Sequence, residues 1–271
     1  MYDKEKTLFV TDLDGTLLRS DAALSDFTLR TVNELLSRRV KLAFATARSL
    51  HTAMKVVGAV DSKIPLILHN GAFIQKKSGE YLYKSVFTPE DISRARAALE
   101  RFAVEPIVYS IRAGREVYSY VPERLTDEER RFLDSRRGDP RDNPTDRENL
   151  WLGEIFYISC IGKEEALRPA FEAAQGFTRI FQPDFYSKDH WLELLPSGSD
   201  KASATLRLAK LLGCERIVVF GDGANDLSMF RIADESCAVA NAVPELRAAA
   251  TRIIGSNDSD GVAKYLSENL L

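Results

Sequence analysis

Thr7-Leu-Phe-Val-Thr-Asp-Leu-Asp-Gly-Thr16 is a β-rich apolar run that ends in two carboxylates, a glycine and a hydroxyl. In an extended strand residues i and i+2 point to the same side. Asp12 and Asp14 are therefore expected to face one point where the strand stops. Two like charges held that close repel unless a cation sits between them or one takes a proton. A hard divalent cation such as Mg²⁺ takes oxygen ligands and a phosphate. A carboxylate can also act as a nucleophile and form an aspartyl-phosphate. Asp14-Gly15 alone would be only a turn; the pattern around it carries the chemical reading.

Outward from this stretch, strands and helices alternate. Residues 8–11, 40–45 and 65–68 read as strands. Residues 25–38 read as a helix with Ser25 as N-cap and Leu29, Val32, Leu35 and Leu36 on one face; 50–58 is a second helix. From Ser199 the alternation returns: helix 199–212 closed by Gly213, strand 216–220, helix 225–232, strand 236–240, helix 244–250, strand 251–254 and helix 261–269. Buried strands separated by helices predict a parallel sheet.

The texture between these halves differs. Residues 72–75 and 81–87 flank Lys77-Ser-Gly-Glu80 as a hairpin. Thr88-Pro89 opens a helix to residue 102. Strands are expected at 104–111, 116–121, 154–161, 177–181 and 191–195, with a helix at 163–174. Residues 134–149, crowded with Arg, Asp, Pro and Gly of balanced sign, read as a solvated loop. The expectation is an α/β fold: a Rossmann-like, mostly parallel-sheet core of residues 1–86 and 190–271, with an inserted α+β cap of residues 87–189.

The 271 residues, 45% of them hydrophobic, suffice for a sizeable core. Lys+Arg 37 against Asp+Glu 40 gives a net charge of -3, which favours neither nucleic acid nor an anionic membrane as partner. No apolar run is long enough to span a bilayer, and the N-terminus lacks the apolar stretch of a signal peptide. Cys160, Cys214 and Cys237 are odd in number and widely spaced, pointing to a reducing cytoplasm. His51, His69 and His190 share no metal spacing. Oligomeric state is not readable.

Three further motifs follow in order. Thr46-Ala47-Arg48-Ser49 comes after the second strand, where Thr46 or Ser49 can cap the next helix and its N-terminus can hold an anion. Lys201 begins a helix after Leu195-Pro-Ser-Gly-Ser-Asp. A cation there opposes the helix dipole, so it either swings into water or pairs with an anion. Gly221-Asp222-Gly-Ala-Asn225-Asp226 follows the strand 216–220.

Together with Asp12-Leu-Asp14-Gly-Thr-Leu17, these motifs resemble those of the haloacid dehalogenase superfamily. Asn70-Gly71-Ala72, Asn241-Ala242, Ser256-Asn-Asp258 and Asp260-Gly261-Val262-Ala263 resemble its Cof-type branch, whose members carry an α/β cap between the second and third motifs. One departure is Asp200-Lys201-Ala202, where the family usually has Ser-Lys-Gly.

The resemblance implies a Mg²⁺-dependent phosphatase of a small phosphorylated metabolite, such as a sugar phosphate. Asp12 would be the nucleophile and Asp14 the acid/base. Asp12, Asp14 (through its backbone carbonyl), Asp222 and Asp226 would form the metal site. Leu13, Gly15, Thr46, Ala47, Arg48, Lys201 and Asn225 would contact phosphate or substrate. A phosphomutase of the same superfamily and a non-catalytic phospholigand sensor are the alternatives.

Overall fold

Strand β1, Thr7–Thr11, is buried along its whole length. A computed structural model of the chain describes residues 2–183 and 189–271; residues 184–188 of the expected insertion lie outside the described residues. After β1 and a wide turn over Leu13–Leu17 comes helix α1, Asp26–Ser37, whose Ser25 cap accepts the Thr28 N–H. Strand β2 is Lys41–Phe44, and helix α2, Leu50–Val57, is capped by Ser49. Strands β3 (Leu66–Leu68), β4 (Phe73–Gln75) and β5 (Tyr81–Lys84) make an antiparallel meander. Residues 65–68 were expected within the parallel sheet. They join it only through one parallel bridge, Ala45 to Ile67.

The next stretch holds helix α3 (Pro89–Arg101), strands β6 (Ile107–Arg112) and β7 (Arg115–Tyr120), and helix α4 (Asp127–Asp134). Strand β8 (Asp142–Pro144), strand β9 (Glu154–Gly162), helix α5 (Glu164–Ala173) and strands β10 (Thr178–Pro183) and β11 (His190–Leu195) follow. These strands form one sheet in the order β10-β11-β9-β6-β7-β8, antiparallel except for β7 with β8. α3 and α5 contribute Ala95, Leu99, Leu167 and Ala170 to a core with Val108, Ile158 and Leu192 from the strands. Each such fully buried large aliphatic side chain contributes roughly 1.5–3 kcal/mol.

The chain then continues through α6 (Lys201–Leu211), β12 (Arg216–Gly221), α7 (Leu227–Ile232), β13 (Glu235–Val239), α8 (Pro244–Ala249), β14 (Arg252–Ile254) and α9 (Gly261–Leu270). The five-stranded parallel sheet runs β14-β13-β12-β1-β2. Its register places Thr11 beside both Phe220 and Phe44. The loops after β1, β2 and β12 therefore leave the sheet side by side, at the carboxyl ends where open parallel sheets place ligands.

Two compact units result: Met1–Lys84 with Asp200–Leu271, and Ser85–Ser199. The expected return to the core at residue 190 is corrected to Asp200. β11 pairs with β9 and β10 along its length and so belongs to the insertion. The reading of 134–149 as a solvated loop is corrected too. Asn143 and its neighbours pair with β7, and Arg141 and Asp139 are buried. Helix α4 was not anticipated, although Thr126 and Glu129 form a capping box. No helix among the described residues is long and apolar enough to cross a membrane.

Candidate active site

β1 ends by handing its backbone to the next loop: the Asp12 N–H donates to Phe220 O at 3.0 Å. Asp14 is extended (φ -72°, ψ 123°) and Gly15 turns left-handed at φ 75°. A Cβ on Gly15 would lie 2.4 Å from Asp222 Oδ2, so only glycine permits this approach between the first and last loops. Thr16 Oγ1 donates to Asp222 Oδ1 at 2.6 Å, and Asn241 Nδ2 donates to Gly15 O at 2.8 Å.

Lys201 lies in the first turn of α6, yet it is 1% exposed. Its Nζ donates to Asp12 Oδ1 at 2.6 Å and to Asp226 Oδ1 at 2.7 Å. The second Asp226 oxygen accepts the N–H groups of Asp222 and Gly223 at 3.0 and 3.1 Å. The capping function at this helix passes to Asp200, whose carboxylate accepts the Ser203 N–H. The packing that allows this is close: a Cβ on Gly71 would lie 2.1 Å from Asp200 O.

Asp12, Asp222 and Asp226 are the group of metal-capable side chains found among the described residues, with one oxygen of each within 4.8 Å of the others. Burial raises the Asp12 pKa well above its usual range; Lys201 opposes this, and Asp226, Asp222 and Asp14 add to it. Burial, with Asp226 behind it, pushes Asp222 up to about 7. Lys201 behaves oppositely. Burial alone would lower it, but Asp12 and Asp226 outweigh that and raise it, so it stays an ammonium. Three carboxylates thus stand around one ammonium, which bonds two of them. The donors are all hard oxygens, and their excess negative charge suits a hard divalent ion.

Asp14 does not join this cluster. Its carboxylate accepts two hydrogen bonds from Arg48, Nε to Oδ2 at 2.7 Å and Nη2 to Oδ1 at 2.6 Å. Asp14 thus stands outside the metal-capable group with its carboxylate on Arg48, and its charge still adds to the rise of Asp12 and Asp222. The same pair ties Arg48 to Asp14. Thr46 is buried, and its Oγ1 accepts the Arg48 N–H at 3.1 Å, while Ser49 caps α2. Leu13 is buried and Ala47 is exposed, so each offers the site a backbone group only. Asn225 is half-buried and its Nδ2 donates to Asn70 Oδ1 at 3.1 Å. Thr16 and Asn70 had no assigned role in the sequence. For Thr16 the signal was present, a hydroxyl placed just after the Asp-Gly turn.

A family model described as haloacid dehalogenase-like hydrolase matches residues 9–266. The chain is 28% identical to the 5-amino-6-(5-phospho-D-ribitylamino)uracil phosphatase YitU of Bacillus subtilis, over 96% of each chain. It is 28% identical to the HMP-PP phosphatase of Cronobacter sakazakii, over 94% of this chain and 93% of that one. In fold it is similar to a haloacid dehalogenase-like hydrolase from Bacteroides thetaiotaomicron. That likeness has a TM-score of 0.77 at 24% identity and covers 97% and 99% of the two chains.

Proposed function

The chain belongs to the haloacid dehalogenase-like hydrolase family, and from that premise we propose that it is a Mg²⁺-dependent phosphatase acting on a small phosphorylated metabolite through an aspartyl-phosphate on Asp12. The observation that carries this is the buried Asp12–Lys201–Asp226 bridge beside Asp222. It holds Asp12 in place at the carboxyl end of β1 with charge left to neutralise.

Asp12 attacks phosphorus in line. The bond from its carboxylate oxygen to phosphorus forms as the ester P–O bond breaks. Asp14 gives a proton to the leaving alkoxide and later takes one from the water that attacks the aspartyl-phosphate. That second displacement frees inorganic phosphate and restores Asp12. Arg48 holds the Asp14 carboxylate through both of its oxygens. Lys201, Thr46, Asn225 and the backbone N–H groups of Leu13, Gly15 and Ala47 would receive the negative phosphoryl oxygens. Asp12, Asp222 and the Asp14 carbonyl, with Asp226 at the edge of the shell, would hold Mg²⁺. Bound there it would supply Lewis-acid charge neutralisation.

The insertion, Ser85–Ser199, is proposed to select the substrate. YitU is named for a phosphate on a ribityl chain, which supports a sugar or polyol phosphate here. The free cysteines support a cytoplasmic setting. The test is turnover of p-nitrophenyl phosphate and a panel of sugar, polyol and nucleoside monophosphates, followed as inorganic phosphate release. Activity that appears with Mg²⁺ and disappears with chelator is expected. Phosphate passing to a second sugar hydroxyl, or binding without turnover, would overturn the reading.

A further inference from the structure

The turn after β3 has an unusual backbone. His69, Asn70 and Gly71 stand in succession at φ 48°, 52° and 102°. Left-handed conformations in residues with a Cβ cost on the order of 1–3 kcal/mol each and persist only where the surroundings impose them. Three contacts impose this one. The His69 N–H donates to Arg48 O at 3.1 Å, and the Asn70 N–H donates to Thr46 O at 3.0 Å. Gly71 lies flat against the Asp200 carbonyl, next to Lys201. One turn thus touches the loop carrying Thr46 and the helix start carrying Lys201.

The side chain of Asn70 reaches a third loop. It is 1% exposed, and its Oδ1 accepts from Asn225 Nδ2 at 3.1 Å. At the other end of the Asn225 amide, Oδ1 packs against Gly223, where a Cβ would come within 2.6 Å. The Asn225 amide is thus held at its nitrogen by Asn70, with its oxygen beside Gly223. The amide has two N–H groups. One goes to Asn70, and the second has no partner among the described residues.

A glycine would meet the backbone requirement at residue 70 with less strain. The carboxamide needs another explanation. We propose that Asn70 is a positioning residue: its Oδ1 sets the orientation of the Asn225 amide, so that the remaining N–H of Asn225 is aimed at a phosphoryl oxygen of the substrate. This rests on the phosphatase reading above. The turn then serves as a common jig, setting Thr46, Lys201 and Asn225 relative to one another through backbone contacts and Asn70 through its side chain.

A double-mutant cycle tests this with Asn70→Gly, Asn225→Ala and the double variant. Each protein is measured by p-nitrophenyl phosphate turnover and, independently, by calorimetric binding of inorganic phosphate. Asn70→Gly keeps the left-handed turn, so it should fold and melt close to wild type. It should lose about 3–10-fold in kcat/KM and in phosphate affinity, the worth of one oriented hydrogen bond. The double variant should be no worse than Asn225→Ala, because the two residues act through one amide. Full additivity, unchanged activity in Asn70→Gly, or its failure to fold would each overturn the inference. The phosphate-binding arm separates the two claims. Wild-type phosphate binding that shows the same coupling, but without turnover, would remove the phosphatase reading and leave Asn70 in its role. Absence of phosphate binding would remove both.

Discussion

In the core unit Asp12 and Asp226 share the single ammonium of Lys201, with Asp222 beside them. In the inserted unit Arg141 is buried with every nitrogen group engaged. Its Nε and Nη2 reach Asp139 at 2.9 and 2.6 Å, and its Nη1 reaches Glu116 at 2.8 Å. Both clusters take charge out of water, which is costly unless partners compensate. The insertion compensates with a bidentate fork on one carboxylate and a third bond to another. The core leaves Asp12 and Asp222 above their usual pKa range. Satisfied buried charge builds a scaffold, whereas unbalanced charge at the ends of parallel strands marks a candidate functional site.

The sharpest way to break this contrast is Asp12→Asn. If the core cluster is reactive, the substitution removes the nucleophile, and turnover should fall at least about 10⁴-fold. Stability should hold, because burial already disfavours the charge it deletes. A melting temperature lowered by several degrees, with activity retained, would make the core cluster a scaffold like the one in the insertion.

Asp14 lies outside the three-carboxylate cluster, so its removal should separate proton transfer from metal binding. Asp14→Asn should retain Mg²⁺ affinity by calorimetry and lose roughly 10²–10⁴-fold in rate on an alkyl phosphate. The loss should be smaller on p-nitrophenyl phosphate, whose leaving group needs less protonation. Equal losses on both would deny Asp14 the acid role.

Asp222 tests the charge imbalance through pH. Its folded pKa of about 7 exceeds the ordinary carboxylate value of 3.8. Between those values the folded chain holds a proton that the unfolded chain has released. Its contribution to stability therefore falls as pH rises through that window, and it stays low above it. In chelator, the wild-type melting temperature should drop from about pH 5 to about pH 8 more than that of Asp222→Asn. Added Mg²⁺ should recover more stability at the higher pH. Parallel pH profiles for the two proteins would contradict the imbalance.

Legibility in the sequence follows the same contrast. The strands around the site could be read because β1 and β12 are short buried runs, each followed at once by the Asp-bearing loop it positions. The destination of Lys201 was legible only through the family resemblance, which places it between the nucleophilic Asp and the phosphate. A lysine opening a helix reads as exposed or loosely paired, and only tertiary packing brings it to Asp12, 189 residues away in sequence. Nor does sequence spacing reveal the Arg48–Asp14 pair, since its partners stand after different strands. In the insertion, sign-balanced charges over 134–149 look like a solvated loop whether or not they are buried. His190–Leu195 owes its allegiance to pairing with β9 and β10, not to its composition.

The smallest expected effect on chemistry, and the one that completes the comparison, comes from Arg141→Met in the insertion. Methionine keeps much of the volume but removes the guanidinium shared by the buried Asp139 and the half-buried Glu116. Breaking a buried pair from one side costs about 3–5 kcal/mol, because an uncompensated charge remains. Hydrogen exchange should therefore quicken in β7, which this cluster meets through Glu116, while β1 and β12 stay protected. Turnover of p-nitrophenyl phosphate should persist, since the residues proposed to act on phosphorus all lie in the other unit. Neutralising all three positions, as Arg141→Met with Asp139→Asn and Glu116→Gln, should recover much of the lost protection. A scaffold cluster can be replaced by neutral packing; a reactive one cannot. If the single variant abolished nitrophenyl phosphate turnover and the triple variant failed to restore it, the Arg141 cluster would be part of the chemistry, and the division between the two units would fall.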